Sequence, residues 1–226
     1  LKDGCFEHIV KRFVGIEAYE AAGGVVGVRR HANARVRGMK RVQVEPHLSV
    51  TGACSAQWVP IKPKTDPAFL FALIHVMLHE MPRERLDLPH LAGRTGSPYL
   101  VGPHGYYLRD RANRKPLVWD QRADRACTHD TPGIDEALEG QREVDAIEIG
   151  ADDEVLAEGL LSGETGFDKL VAHVKPYSPE WAENVCEVPA ARIRRIANEY
   201  LDHARIGETI EIDGVTKTVK AGEAFI

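Results

Sequence analysis

Glu45 closes an alternating run, Arg41-Val42-Gln43-Val44, that reads as a strand ended by Glu45-Pro46. A carboxylate has two acceptor oxygens at the spacing of a vicinal diol. In nucleotide-binding α/β folds an acid at a strand end takes hydrogen bonds from both ribose hydroxyls. The plain alternative is a solvent-exposed Glu before a proline turn, and no G-x-G-x-x-G or Walker A sequence accompanies it. The second candidate is Pro60-Ile-Lys-Pro-Lys-Thr-Asp-Pro67. Prolines stiffen this loop and a helix begins directly after it. Helix N-termini expose unpaired N–H groups and favour anions, and Lys62 and Lys64 add positive charge. The Asp66 carboxylate could accept paired N–H donors from a guanine edge. Asp-Pro is also a common helix start, which leaves a bare N-cap as the other reading of Asp66.

Other chemistry has less support. His75 and His79 stand at i and i+4 with Glu80 following, a spacing that can place two imidazoles on one metal, but no third ligand is suggested and the pair reads as structural. Arg29, Arg30, Arg35, Arg37, Lys40 and Arg41 lack interleaved aromatics and read as a solvated helix face, so no nucleic-acid partner is expected. Ser49, Ser55 and Ser97 have no G-x-S-x-G context, and Cys54 has no His partner nearby in sequence. No catalytic or metal-ligating residue is therefore assigned. Cys5, Cys54, Cys127 and Cys186 form no C-x-x-C and read as four free thiols.

The elements that must position these residues follow from periodicity. Phe13-Val14-Gly15 reads as the end of a strand, and Val25–Arg37 as a helix with Gly38 at its C′ position. After the strand at residues 41–44 comes a loop of small residues, His47 to Ala56, then a strand at Gln57–Ile61. Pro67 to about Glu80 is apolar nearly all round and predicts a buried helix with Asp66 as N-cap. Helix, strand, strand, helix with short connections predicts α/β architecture: a Rossmann-like, mainly parallel sheet with flanking helices. Residues 81–176 lose helical periodicity and read as an irregular α+β excursion without a core of its own. It holds a hairpin around Gly102–Gly105, a further strand at Lys115–Asp120, and an acidic solvated loop or edge at Glu143–Glu154. Phe167, Leu170, Val171 and Val174 follow helical spacing. Residues 177–226 predict a helical pair, started by Ser178-Pro179 and by Pro189, and a terminal hairpin around Asp213-Gly214. The expected divisions are thus 1–80, 81–176 and 177–226.

Composition bounds the rest. The 226 residues are 43% hydrophobic and 28% charged, which excludes disorder as the dominant state. Net charge is −5, but residues 1–66 carry 11 Lys/Arg against 6 Asp/Glu, so an anionic ligand is expected in that third. The longest apolar run, Pro67–Leu78, is too short to span a bilayer.

In combination these segments resemble the molybdopterin oxidoreductase, or dimethyl sulfoxide reductase, family. The resemblance rests on Arg37-Gly-Met-Lys-Arg-Val-Gln-Val-Glu-Pro46 and the following Ser/Thr-rich loop, then Trp58-Val-Pro-Ile-Lys-Pro-Lys-Thr-Asp-Pro-Ala-Phe69. It continues in Arg94-Thr-Gly-Ser-Pro-Tyr-Leu-Val-Gly-Pro103, Tyr106-Tyr-Leu-Arg109, Tyr177-Ser-Pro-Glu-Trp-Ala-Glu183 and Val188-Pro-Ala-Ala-Arg-Ile-Arg-Arg-Ile-Ala197. It covers residues 13–205 in the family's order.

The resemblance implies an internal fragment of a large catalytic subunit whose cofactor is bis(molybdopterin guanine dinucleotide) with molybdenum or tungsten. It places Glu45, with Pro46 and His47, at the ribose-binding acid, and Pro63, Lys64, Thr65 and Asp66 on the loop that meets the guanine. The family's Pro-Gly-Thr-Asp has Lys64 in place of Gly, its Arg after acidic-Pro is His47, and its commoner Asp is Glu45. It further implies an iron–sulfur cluster elsewhere in the full-length protein, a small-molecule substrate, and a partner in the form of an iron–sulfur electron-transfer subunit. It leaves the compartment open between cytoplasm and periplasm, with a membrane-associated complex as one setting. The isolated fragment is expected to be inactive. The competing expectation is a stand-alone α/β module that binds a nucleotide or phosphate without redox chemistry.

Overall fold

The computed structural model describes residues 38–204 together with 32, 33, 35, 36, 209–212 and 215–218. The expected strand at Phe13–Gly15, most of the helix at Val25–Arg37, and Cys5 lie outside the described residues. The chain divides into two compact units, Leu1–Met77 with Tyr177–Ile226, and Leu78–Pro176.

The first unit is built on a parallel strand pair. Strand β1 (Val42–Glu45) pairs with β2 (Gln57–Pro60) in the register Val44↔Val59 and Glu45↔Pro60. Parallel neighbours need a crossover, and residues 46–56 supply it. The expected loop there contains a short helix, α1 (Val50–Ala53), whose N-cap Ser49 accepts from the Gly52 N–H. Four residues are too few for a periodic signal; the cap and its partners make this turn. Helix α2 (Asp66–His75) follows β2 and continues as a wider π turn over Val76–Glu80. Its Ala68, Phe69 and Ala72 are buried with Val59 and Ile61, while Leu70 remains 55% exposed.

Two C-terminal helices complete this core. Helix α5 (Pro179–Cys186) is capped by Ser178, and α6 (Ala190–Asp202) follows Pro189. Ala182, Cys186, Val188 and Ile193 join the α2 cluster with none of their surface exposed. The first N–H of α6 is satisfied from the other helix: Ala190 N donates to Glu183 Oε2 at 3.0 Å. β9 (Thr209–Ile212) and β10 (Val215–Thr218) pair antiparallel; the expected turn at Asp213-Gly214 lies outside the described residues.

The second unit carries strands β3 (Leu100–Val101), β4 (Leu108–Arg109), β5 (Leu117–Asp120), β6 (Arg125–Thr128), β7 (Gln141–Ile149) and β8 (Val155–Thr165). Helix α3 (Leu88–Arg94) precedes them and α4 (Gly166–Val174) ends the unit. One sheet has the order β3-β8-β7-β4, all antiparallel, and β5-β6 form a separate antiparallel pair. The chain is therefore a mixed α/β protein, with one parallel pair among the described residues. The expected hairpin at 99–108 is present as the Val101↔Tyr107 bridge, although β3 and β4 lie at opposite edges of the sheet.

Two expectations for this unit are corrected. The acidic segment at 143–154 is a solvated turn only over residues 150–154; its first part, 143–149, lies in β7, a central strand that buries Val144, Ala146, Ile147 and Ile149. Residues 81–176 also do not lack a core, because Leu100, Leu108, Leu117, Val144 and Ala146 form a buried cluster of their own.

Candidate functional site

The parallel pair decides where the candidate residues meet. In-register pairing of Glu45 with Pro60 means that both strands end at the same edge, so the two following loops leave side by side. One carries Glu45, Pro46 and His47; the other carries Pro63, Lys64, Thr65 and Asp66. The crevice beyond the carboxyl ends of parallel strands is where open α/β sheets bind ligands.

Glu45 is half-buried and tightly held. Its Oε1 accepts from Ser49 N at 2.8 Å, and Ser49 Oγ lies 2.8 Å from Oε1 and 2.9 Å from Oε2. Gln43 Nε2 donates to Oε2 at 3.2 Å, and Trp58 Nε1 donates to the Glu45 carbonyl at 3.3 Å. The Ser49 N–H, helped by the Ser49 hydroxyl, Gln43 and His47, holds the Glu45 carboxyl below the usual glutamate range against the opposing pull of desolvation. Arg41 anchors the far end of the crossover, donating from Nε to Ser55 Oγ at 2.9 Å and from a terminal nitrogen to the Thr51 carbonyl at 3.0 Å.

The second loop is pinned from behind. Lys62 N donates to the Cys186 carbonyl at 3.0 Å, and Lys62 Nζ pairs with Glu187 at 3.2 Å. Lys62 is thereby spent on the end of α5, while Pro63, Lys64 and Asp66 are exposed. Lys64 sits in the left-handed region at φ 67°. This turn lets the Thr65 hydroxyl donate back to the Lys62 carbonyl at 2.6 Å. The N-cap position of α2 therefore belongs to Thr65, whose side chain makes no capping bond, and Asp66 is the first helical residue. That corrects the expected Asp66 cap: its carboxylate is not committed to capping and stands at the positive end of the helix.

Gln43 and Gly52, which shape this edge, were not singled out from sequence, and Ser49 was weighed there only as a nucleophile. The only trace was a serine four residues after the acid, followed by the small residues Gly52 and Ala53. His75 is half-buried on α2, and His79 Nε2 lies 2.9 Å from the Val171 carbonyl. Among the described residues no group of three or more His, Cys, Asp or Glu could hold a metal ion. Cys54, Cys127 and Cys186 are free thiols. No helix among the described residues is long and apolar enough to cross a membrane.

No protein-family model matches the chain. It is similar to a sulfite dehydrogenase subunit of Allochromatium vinosum, 30% identical over 177 residues, which cover 72% of this chain and 17% of that protein. It is also similar to the alpha chain of the chlorate reductase of Ideonella dechloratans, 25% identical over 184 residues, 73% of this chain and 18% of that protein. The matched stretch thus spans less than a fifth of the length of either relative.

Proposed function

We propose that this chain is part of the catalytic subunit of a molybdenum or tungsten oxidoreductase that carries bis(molybdopterin guanine dinucleotide). In this reading the carboxyl edge of β1 and β2 holds the guanosine end of one dinucleotide. The observation that carries it is the Glu45 carboxylate fixed at a parallel strand end, with the Pro63–Asp66 loop leaving the neighbouring strand beside it. The two relatives, one from a dehydrogenase and one from a reductase, support the redox class.

The residues fit the group. Glu45 offers an ionised acceptor to a sugar hydroxyl. The exposed, uncapped Asp66 carboxylate offers two acceptors to the N1 and N2 donors of guanine, and the exposed Lys64 ammonium stands on the same loop for a phosphate. When bound, the pterin-held metal supplies two-electron chemistry; this chain's own residues bind and orient the nucleotide end of it. A small-molecule substrate, an iron–sulfur cluster elsewhere in the full-length protein and an iron–sulfur electron-transfer subunit belong to the same proposal.

The test is Asp66→Asn in the full-length enzyme. Asn places an amide donor against guanine donors, and an unsatisfied buried donor costs about 1–3 kcal/mol. Guanine nucleotide content after acid release should fall by about fivefold or more. Folding stability should change by less than about 1 kcal/mol, the size of a lost charge at a helix N-terminus. Unchanged nucleotide content in this variant overturns the guanine assignment.

A further inference from the structure

We infer that Ser49, Gly52 and Gln43 form a cradle that positions Glu45 and leaves its carboxylate one open acceptor direction, so that this edge takes a single ribose hydroxyl and not the pair. The inference rests on the guanosine reading and deepens it.

The argument is a count of hydrogens. An ionised carboxylate has about four lone-pair sites. The Ser49 N–H occupies one at 2.8 Å, and a Gln43 amide hydrogen occupies another at 3.2 Å. The Ser49 hydroxyl has one hydrogen, which it can give to only one of the two oxygens at a time, at 2.8 or 2.9 Å. That hydrogen is committed to the carboxylate because Ser49 Oγ itself accepts from the Gly52 N–H at 3.1 Å. Three donors on four sites leave one. A vicinal diol that donates both hydroxyls needs two, so the sequence-based expectation of a bidentate diol is not met by Glu45 as it is held here.

Gly52 closes the cradle. A Cβ at this position would stand 2.2 Å from Glu45 Oε1 and 3.0 Å from Leu48 Cδ1. Any larger residue must push the carboxylate away from Ser49. The carboxylate is the free end of a flexible side chain, so it can move without unfolding the crossover. Ser49 and Gly52 are accordingly positioning residues: they act on the ligand only through Glu45.

The test uses the full-length protein prepared free of cofactor and three probes, GMP, 2′-deoxy-GMP and 3′-deoxy-GMP, with affinities measured by calorimetry. In the wild type one deoxy analogue should bind about tenfold more weakly than GMP and the other within about twofold of it, since only one hydroxyl has an acceptor. Gly52→Ala and Ser49→Ala should weaken GMP severalfold and level the three probes, with melting temperature recorded for each variant. Ser49→Thr, which keeps N–H and hydroxyl, should retain the discrimination. Equal losses for both deoxy analogues in the wild type overturn the inference, as does intact discrimination in Gly52→Ala. If GMP fails to bind the wild type, or binds Glu45→Ala equally well, the guanosine reading itself falls and takes this inference with it.

Discussion

Lys64 holds φ at 67°, a conformation in which an L residue's Cβ crowds the following carbonyl at a cost of roughly 1–2 kcal/mol. The family that the sequence resembles has Gly at this place, and the backbone shows why. Lys64→Gly removes the crowding but adds freedom to the unfolded chain, which takes back roughly 0.5–1 kcal/mol. The net expectation is stabilisation of about 0.5–1 kcal/mol in urea unfolding, whereas Lys64→Ala, which keeps a Cβ, should gain nothing. A Gly variant no more stable than the Ala variant would refute the strain account. Glu148 is the opposite case, a side chain with no exposed surface that satisfies a loop. Its Oε1 accepts from His104 N at 2.9 Å and Tyr106 N at 3.0 Å, and its Oε2 meets His104 Nδ1 at 2.9 Å. Glu148→Ala strands these donors and opens a cavity, for an expected loss of about 2–4 kcal/mol. Glu148→Gln retains an acceptor for the two backbone N–H groups and should lose less than half as much.

At the scale of elements, α5 and α6 are tied by Arg194 and Glu180 at 2.6 Å. The Arg194 guanidinium pulls the Glu180 carboxyl down to about 2. A folded-state value below the unfolded one means that the pair stabilises above about pH 4.5. That contribution is lost as the pH falls through about 2. Glu180 is 60% exposed, so water screens the pair and its worth is on the order of 0.5 kcal/mol. The stability difference between wild type and Arg194→Gln should therefore hold near neutrality, shrink below pH 4.5 and vanish near pH 2; a difference constant with pH contradicts the pairing. These helices were legible in sequence because Ser178-Pro179 is a cap with Pro at N1, and because Ile193 and Ala197 repeat at helical spacing. β1, β2 and α2 were legible for the same reasons of alternation and a Pro-marked start. β7 was not. Its apolar positions alternate with Glu143 and Asp145, and Glu148, whose partners lie 42 and 44 residues away, breaks the pattern on the buried face. At the candidate site the types of Glu45 and Asp66 were readable, but the cradle was not. Ser49 and Gly52 matter only through contacts that the β1–α1–β2 crossover creates.

At the scale of the whole chain, each unit has its own buried cluster, one around Val59, Ala72 and Ile193 and the other around Leu100, Leu108 and Val144. Side chains such as Leu108, with none of its surface exposed, contribute about 2–5 kcal/mol each when compared with Ala. Under the proposed function this stretch contributes a nucleotide-binding edge to a cofactor whose metal is held by the pterins. The expectation for the 226-residue chain produced alone is then a folded protein with no oxidoreductase activity. Elemental analysis should find molybdenum and tungsten well below one per chain, while GMP still protects it against thermal unfolding and Glu45→Ala abolishes that protection. Near-stoichiometric molybdenum or tungsten in the purified chain would show that the metal's ligands lie within it. Metal-free chain with no GMP protection would remove the guanosine site and leave the redox assignment on sequence similarity alone.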